Sequence, residues 1–330
     1  MAQGVPVEQG FAPASPLGIL PWRRFGDAWC GRAMAERSWL MENGAMTSLA
    51  VVGAGPIGSA LTHAVAQRQA VSRIWLIDEV GGVAAGVASD VFHSVAVGGL
   101  DVHVLGETTL AAAARADAIV LADQAASGKE WQGEPGLVMV DRLNRFSPQA
   151  PILLAGAQHA WIIERAAAEL RIAARRLVGS APLALEAALR TTVAREAGVS
   201  SLDVHLPLVG RPPVCLVIDW DHALVAGQPA RWRLGDRGIA RIDRCLSTMW
   251  PPGPAALAAA GAGIVEAVVK GSRRAVPCFV VCDGTLWDKD RVLAVPARLG
   301  RAGFEEVRWP DLMARDRTTL ESSLSRRGAL

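Results

Sequence analysis

Tyrosine is absent from this 330-residue chain, although 11 Trp and 6 Phe are present. The absence removes phenolic acid–base chemistry and leaves His, Asp, Glu, Lys and Cys as proton carriers. Charge of one sign is missing too: 34 Lys and Arg face 32 Asp and Glu, a formal net charge of +2. No basic cluster offsets this balance, so neither nucleic acid nor an anionic membrane surface is an expected partner. No apolar run approaches the roughly 20 residues that span a bilayer. Residues 1–45 also lack the apolar segment of a signal peptide.

Cysteine is scarce, with five residues scattered along the chain. Only Cys278 and Cys282 lie close together, in "PCFVVCDG". A metal site would want a second pair or nearby histidines. On a strand the two point to one face, which fits ordinary core thiols. Reduced cysteines suit a cytoplasmic protein, and that is the expected location.

The length allows one to three domains and a substantial core. Residues 1–45 mix Pro, Gly, Trp and charge, and are read as a disordered extension or a start assigned too far upstream. Met46 directly precedes "TSLAVVGAG", where a regular pattern begins. "LAVV" (49–52), "RIWLID" (73–78), "DVHVL" (101–105), "DAIVLA" (117–122) and "PILLA" (151–155) read as strands. Between them, "SALTHAVAQRQ" (59–69), "VAAGVASDVFHSVA" (83–96) and "TLAAAARA" (109–116) read as helices. Near-continuously apolar strands alternating with helices indicate a parallel sheet covered on both faces.

The first strand and helix are joined by "GAGPIG", Gly53 to Gly58, a G-x-G-x-x-G loop in its proper strand–helix context. Gly53 permits the tight turn, Gly55 lets a pyrophosphate approach the backbone, and Gly58 allows close helix–strand packing. Pro56 suits a first helical turn, where its missing N–H is no loss. Ile57 completes the loop. Twenty residues beyond Gly58 the second strand ends in Asp78, placed to accept hydrogen bonds from ribose hydroxyls. An acid there repels a 2′-phosphate, so the expected cofactor is NAD rather than NADP.

From Leu49 to Arg327 the chain resembles the malate/lactate dehydrogenase family. "AVVGAGPIG" and "IWLIDE" look like its cofactor segments, and "GVASDVFH" (86–93) like its G-x-A-x-D-L-x-H helix. The stretches 176–205 and 263–307 follow its middle and its C-terminal strands in order. The resemblance implies a Rossmann-type doubly wound parallel sheet at 46–156, followed by an α+β substrate-type domain at 157–330. It further implies a homo-oligomer, a dimer or tetramer, and hydride exchange between NAD and a 2-hydroxy or 2-oxo acid. That reaction needs a histidine to exchange a proton, a carboxylate to orient it, and arginines to bind and polarise the substrate.

The residues at those places differ. The family's orienting aspartate falls on Leu185 and its carboxylate-binding arginine on Ala188, within "ALEAALR". Its G-G-H-G-D falls on "GRPPV" (210–214), which puts Pro212 at the proton-transferring histidine. Its asparagine after the fifth strand falls on Ala157. The mobile loop has no arginine between Asp123 and Asp141 and is shortened. None of these side chains can transfer a proton or pair with a carboxylate. After the fourth strand, "ADQ" (122–124) places Asp123 close to where a pyrophosphate would lie, and Gln124 adds bulk.

His159 is the best substitute proton carrier, beside a plain helix-start histidine. Arg211 could hold an anion, or be a solvated loop arginine. Asp203 and His205 alternate on one strand and are expected to face away from the site, while "DWDH" (219–222) supports at most two metal ligands. Three readings follow. The preferred one is a pseudoenzyme of this family that binds NAD(H) in a regulatory or structural role. The others are an oxidoreductase with relocated catalytic residues acting on a small hydroxy or oxo acid, and an oligomeric scaffold without a ligand.

Overall fold

The computed structural model describes residues 48–285 and 291–325, together with Met1. Apart from Met1, the segment 1–45 lies outside the described residues. Strand β1 (Ser48–Val52) is buried along its whole length, as a central parallel strand covered on both faces must be. It leads through the glycine loop into α1 (Pro56–Gln67), whose first residue is proline. Then follow β2 (Arg73–Ile77), α2 (Gly81–Val97), β3 (His103–Glu107), β4 (Ala118–Leu121), α3 (Gly133–Phe146) and β5 (Ile152–Leu154). Helix α4 (Ala160–Ala168), β6 (Leu177–Gly179) and α5 (Ala181–Ala197) complete this half.

These six strands lie in the order β3-β2-β1-β4-β5-β6, every neighbouring pair parallel. This is the doubly wound order expected from the sequence. The strand order reverses between β1 and β4, which opens a crevice at their carboxyl ends. Gly53 and Asp123, just beyond those ends, therefore face each other.

Downstream come β7 (Val204–His205), β8 (Leu208–Arg211), β9 (Cys215–Ile218), β10 (Leu224–Val225) and β11 (Gln228–Pro229). They are followed by α6 (Ala230–Cys245), α7 (Pro254–Lys270), β12 (Ala275–Val281), β13 (Val292–Gly300), β14 (Gly303–Val307) and α8 (Ala314–Ser325). Phe279 of β12 pairs antiparallel with Gly179 of β6, so the parallel sheet continues into β13, β8 and β9. Helix α7 lies against α1. A Cβ on Gly261 would come within 2.5 Å of Leu61 Cδ1, so the small residue sets how closely these helices approach.

Three local expectations need correction. Asp203 ends the 3₁₀ segment Ser201–Asp203 and does not share the strand Val204–His205 with His205. The strand expected at 101–105 runs instead over His103–Glu107, because its register is fixed by pairing Arg73 with His103 through Ile77 with Glu107. The helix expected at 109–116 is a 3₁₀ segment, Leu110–Arg115, with Ala112 N–H donating to the Thr109 carbonyl and Ala116 N–H to the Ala113 carbonyl. Only ten residues separate β3 from β4, too few for a packed α-helix with its two connections. Cys278 and Cys282 are both buried, and burial pushes the Cys278 thiol up to about 12. No single helix among the described residues is long and apolar enough to cross a membrane.

Candidate functional site

Gly53 adopts φ +107°, a conformation open to glycine, and a Cβ there would overlap the Asp123 carbonyl. A Cβ on Gly58 would overlap the Gly53 carbonyl, so the third glycine brings helix and strand together as expected. Gly55 is the cap of α1 and supplies no side chain to the first-turn amides.

Those amides are satisfied from elsewhere. Ile57 N–H donates to Asp123 Oδ2 at 2.9 Å, and Gly58 N–H donates to Oδ1 at 2.8 Å. The carboxylate also lies over Gly55, whose imagined Cβ would sit 2.6 Å from Asp123 Cγ. Gly55 N–H donates to the Asp123 carbonyl at 3.1 Å, tying the loop to the end of β4. The start of a helix favours an anion, and Asp123 supplies one from within the chain. Burial raises its pKa above the usual carboxylate range, the two amides and nearby Glu130 acting as lesser influences.

Asp78 stands just past β2, where the sequence places it. Its Oδ2 accepts the amides of Ala54 at 2.9 Å and Ala125 at 3.0 Å, and its Oδ1 accepts that of Val80 at 2.9 Å. A carboxylate has about four acceptor positions, so three amides leave little for a ribose. Beside it opens a cavity of about 250 Å³, lined among others by Val52, Gly53, Ile77, Thr108 and Trp131. A hollow therefore stays open beside Asp78, while the helix start holds the carboxylate of Asp123.

The expected mobile loop is a short hairpin. Asp123 bridges to Glu130, Gln124 N–H donates to the Lys129 carbonyl, and Gly128 N–H donates back to Gln124. The returning strand brings Glu130 over the end of β5, where its Oε2 accepts the amide of Gln158 at 2.9 Å. A Cβ on Gly156 would lie 2.5 Å from that oxygen and 2.6 Å from His159 Cε1.

His159 belongs to this packing and is wholly buried. Its Nδ1 accepts the Gly156 amide at 2.9 Å, which places the neutral ring's proton on Nε2. Loss of hydration lowers its pKa to about 4, partly opposed by the Trp131 carbonyl. It is a neutral core histidine at pH 7, with no opening through which to exchange a proton with a substrate.

Pro212 sits in the turn between β8 and β9, where Arg211 pairs with Cys215. The Pro-Pro pair thus ends β8, as its chemistry requires. Leu185 is buried on α5, and Ala157 is buried after β5. Arg211 forms an ion pair with Glu164 of α4, so it is neither a vacant anion site nor a solvated loop side chain. Sequence reasoning missed that partner, because no local spacing links residues 47 positions apart. His205, Asp219 and His222 line a separate cavity. Asp219 accepts the backbone amide of His222 at 3.1 Å and contacts its Nδ1 at 2.7 Å. No group of three or more metal-ligating side chains occurs among the described residues.

No family model matches the chain. It is 27% identical over 292 residues to the malate dehydrogenase of Chloroherpeton thalassium, covering 83% of this chain and 94% of that one. It is also 27% identical over 301 residues to a malate dehydrogenase of Chlorobium phaeobacteroides, covering 84% and 95%. The malate dehydrogenase structure from Salinibacter ruber superposes with a TM-score of 0.74 at 23% identity, covering 86% and 96%. A lactate dehydrogenase from Cryptosporidium parvum, complexed with lactic acid and nicotinamide adenine dinucleotide, gives a TM-score of 0.77 at 20% identity over the same shares. The fold is that of the malate and lactate dehydrogenases, a mixed α/β structure around a parallel sheet.

Proposed function

We propose that this protein is a malate/lactate dehydrogenase-like chain that binds NAD(H) but has given up the family's hydride transfer, and acts in a regulatory or structural role. Its place in that family is supported by the malate dehydrogenases it resembles along most of its length and by the shared fold. One feature of the sequence supports the loss of chemistry: at the places the resemblance assigns to those roles stand Pro212, Leu185, Ala188 and Ala157, none of them titratable, and among the described residues neither candidate substitute is free to act. A 2-hydroxy acid gives up its hydride only when a base takes the hydroxyl proton. His159 is sealed and neutral, and Arg211 is paired to Glu164.

The residues that would hold the cofactor are Gly53, Gly55, Ile57 and Gly58 through their backbone, with Pro56 presetting the helix start. Asp78 borders the adenosine hollow. Bound there, NAD(H) would supply a hydride carrier. These parts fit the group on one condition: the Asp123 carboxylate must leave the two amides that a diphosphate would use. A dimer or tetramer belongs to the same proposal, and half-exposed Val83 and Phe92 on α2 are consistent with it.

The test is an NADH titration of the full chain by fluorescence or calorimetry, then an assay with oxaloacetate and with pyruvate at high protein concentration. Binding without turnover is expected. Turnover that disappears in Gly55→Trp would overturn the loss of catalysis. Absence of NADH binding even at millimolar concentration would favour a ligand-free scaffold.

A further inference from the structure

We propose that Asp123 is a built-in competitor for the cofactor's diphosphate: its carboxylate closes the anion site, and a dinucleotide enters only by displacing it. The proposal rests on the NAD(H) reading above and names how that site is controlled. Three features carry it. Both first-turn amides, Ile57 and Gly58, donate to the two carboxylate oxygens within 2.9 Å. The same group covers Gly55, the glycine whose missing side chain would admit a phosphate. The adenosine hollow beside Asp78 lies outside this contact and stays open. The site is therefore split, with the nucleoside half accessible and the phosphate half self-occupied.

The shortened hairpin explains how the carboxylate is held. Asp123 bridges to Glu130, and its carbonyl accepts the Gly55 amide, so the backbone cannot drift away from the loop. Release must come from rotation of the side chain alone.

A chain built this way discriminates against phosphate. In the unmodified protein ADP should bind no more tightly than adenosine, because the diphosphate must evict a carboxylate to gain the same two amides. Asp123→Ala empties the anion site and Asp123→Asn removes its charge while keeping the shape. Calorimetric titrations of adenosine, ADP and NADH into the full chain and both variants test this.

The expected result is that ADP and NADH tighten by roughly tenfold or more in Asp123→Ala while adenosine changes by less than about twofold. Asp123→Asn should move the same way by a smaller step. The ratio of ADP to adenosine affinity within each protein cancels losses of folded material, so a partly unstable variant still reports. Equal ADP affinity in all three proteins, or weaker ADP binding in the variants, would overturn the competitor while leaving the NAD(H) reading intact. If neither adenosine nor NADH binds any of the three, the NAD(H) reading itself fails, and the competitor with it.

Discussion

Gly58 donates its backbone amide to Asp123 Oδ1 at 2.8 Å, across 65 residues of chain. The bond joins the helix that opens the glycine loop to the end of the strand beside it. It also leaves that first-turn amide donating to a carboxylate of the chain itself.

Gly58 is expected to tolerate no side chain. A Cβ would overlap the Gly53 carbonyl, backbone against backbone, so α1 would have to lift from β1. Gly58→Ala should cost about 3 kcal/mol or prevent folding. Gly86, exposed within α2 with no neighbour within 4 Å of its imagined Cβ, gives the contrast. Gly86→Ala should stabilise by about 1 kcal/mol through helix propensity. Urea unfolding midpoints check both.

His159 makes the fold sensitive to acid. Its pKa falls from 6.5 when unfolded to about 4 in the folded chain, through burial. The stability it contributes is present above pH 6.5 and is lost as the pH falls towards 4, a span worth about 3 kcal/mol. Protonation would also require Nδ1 to give up the Gly156 amide. His159→Asn can accept that amide without titrating, so its unfolding free energy should vary less across this window. Equal pH dependence in both proteins would remove His159 as the cause.

Arg211 and Glu164 form a half-buried ion pair near the turn that contains Pro212. Removing either partner leaves the other charge poorly hydrated. Arg211→Ala and Glu164→Gln should each cost about 1 kcal/mol, and the double variant should cost less than their sum. A double-mutant cycle with a coupling energy near zero would show the pair to be incidental.

The legible and illegible parts of this molecule separate by distance along the chain. The turn at Gly53, the helix start at Pro56 and the placement of Asp78 are written in local spacing, and the structure reproduces them. The β8–β9 turn at Pro212 is of the same local kind, since proline disrupts a ladder wherever it falls. The position of Asp123 near the phosphate place could be read from the strand order. That its two oxygens face the amides of Ile57 and Gly58 could not, because side-chain rotation is decided by packing. Glu130 and Glu164 were silent in sequence, since long-range pairing brings them to Gln158 and Arg211. The 3₁₀ segment at 110–115 was misread because an Ala-rich run says nothing about the room between two strands.

The protein is proposed to keep a dehydrogenase-like fold without the proton-transfer chemistry. Single-turnover mixing tests it most directly: NADH with stoichiometric full-length protein and excess oxaloacetate or pyruvate, followed by nicotinamide absorbance. In wild type the trace should be indistinguishable from the protein-free control, with NADH binding verified separately on the same sample. An absorbance decay that requires the protein and vanishes in Gly55→Trp would contradict it, and would mean that another residue carries the proton.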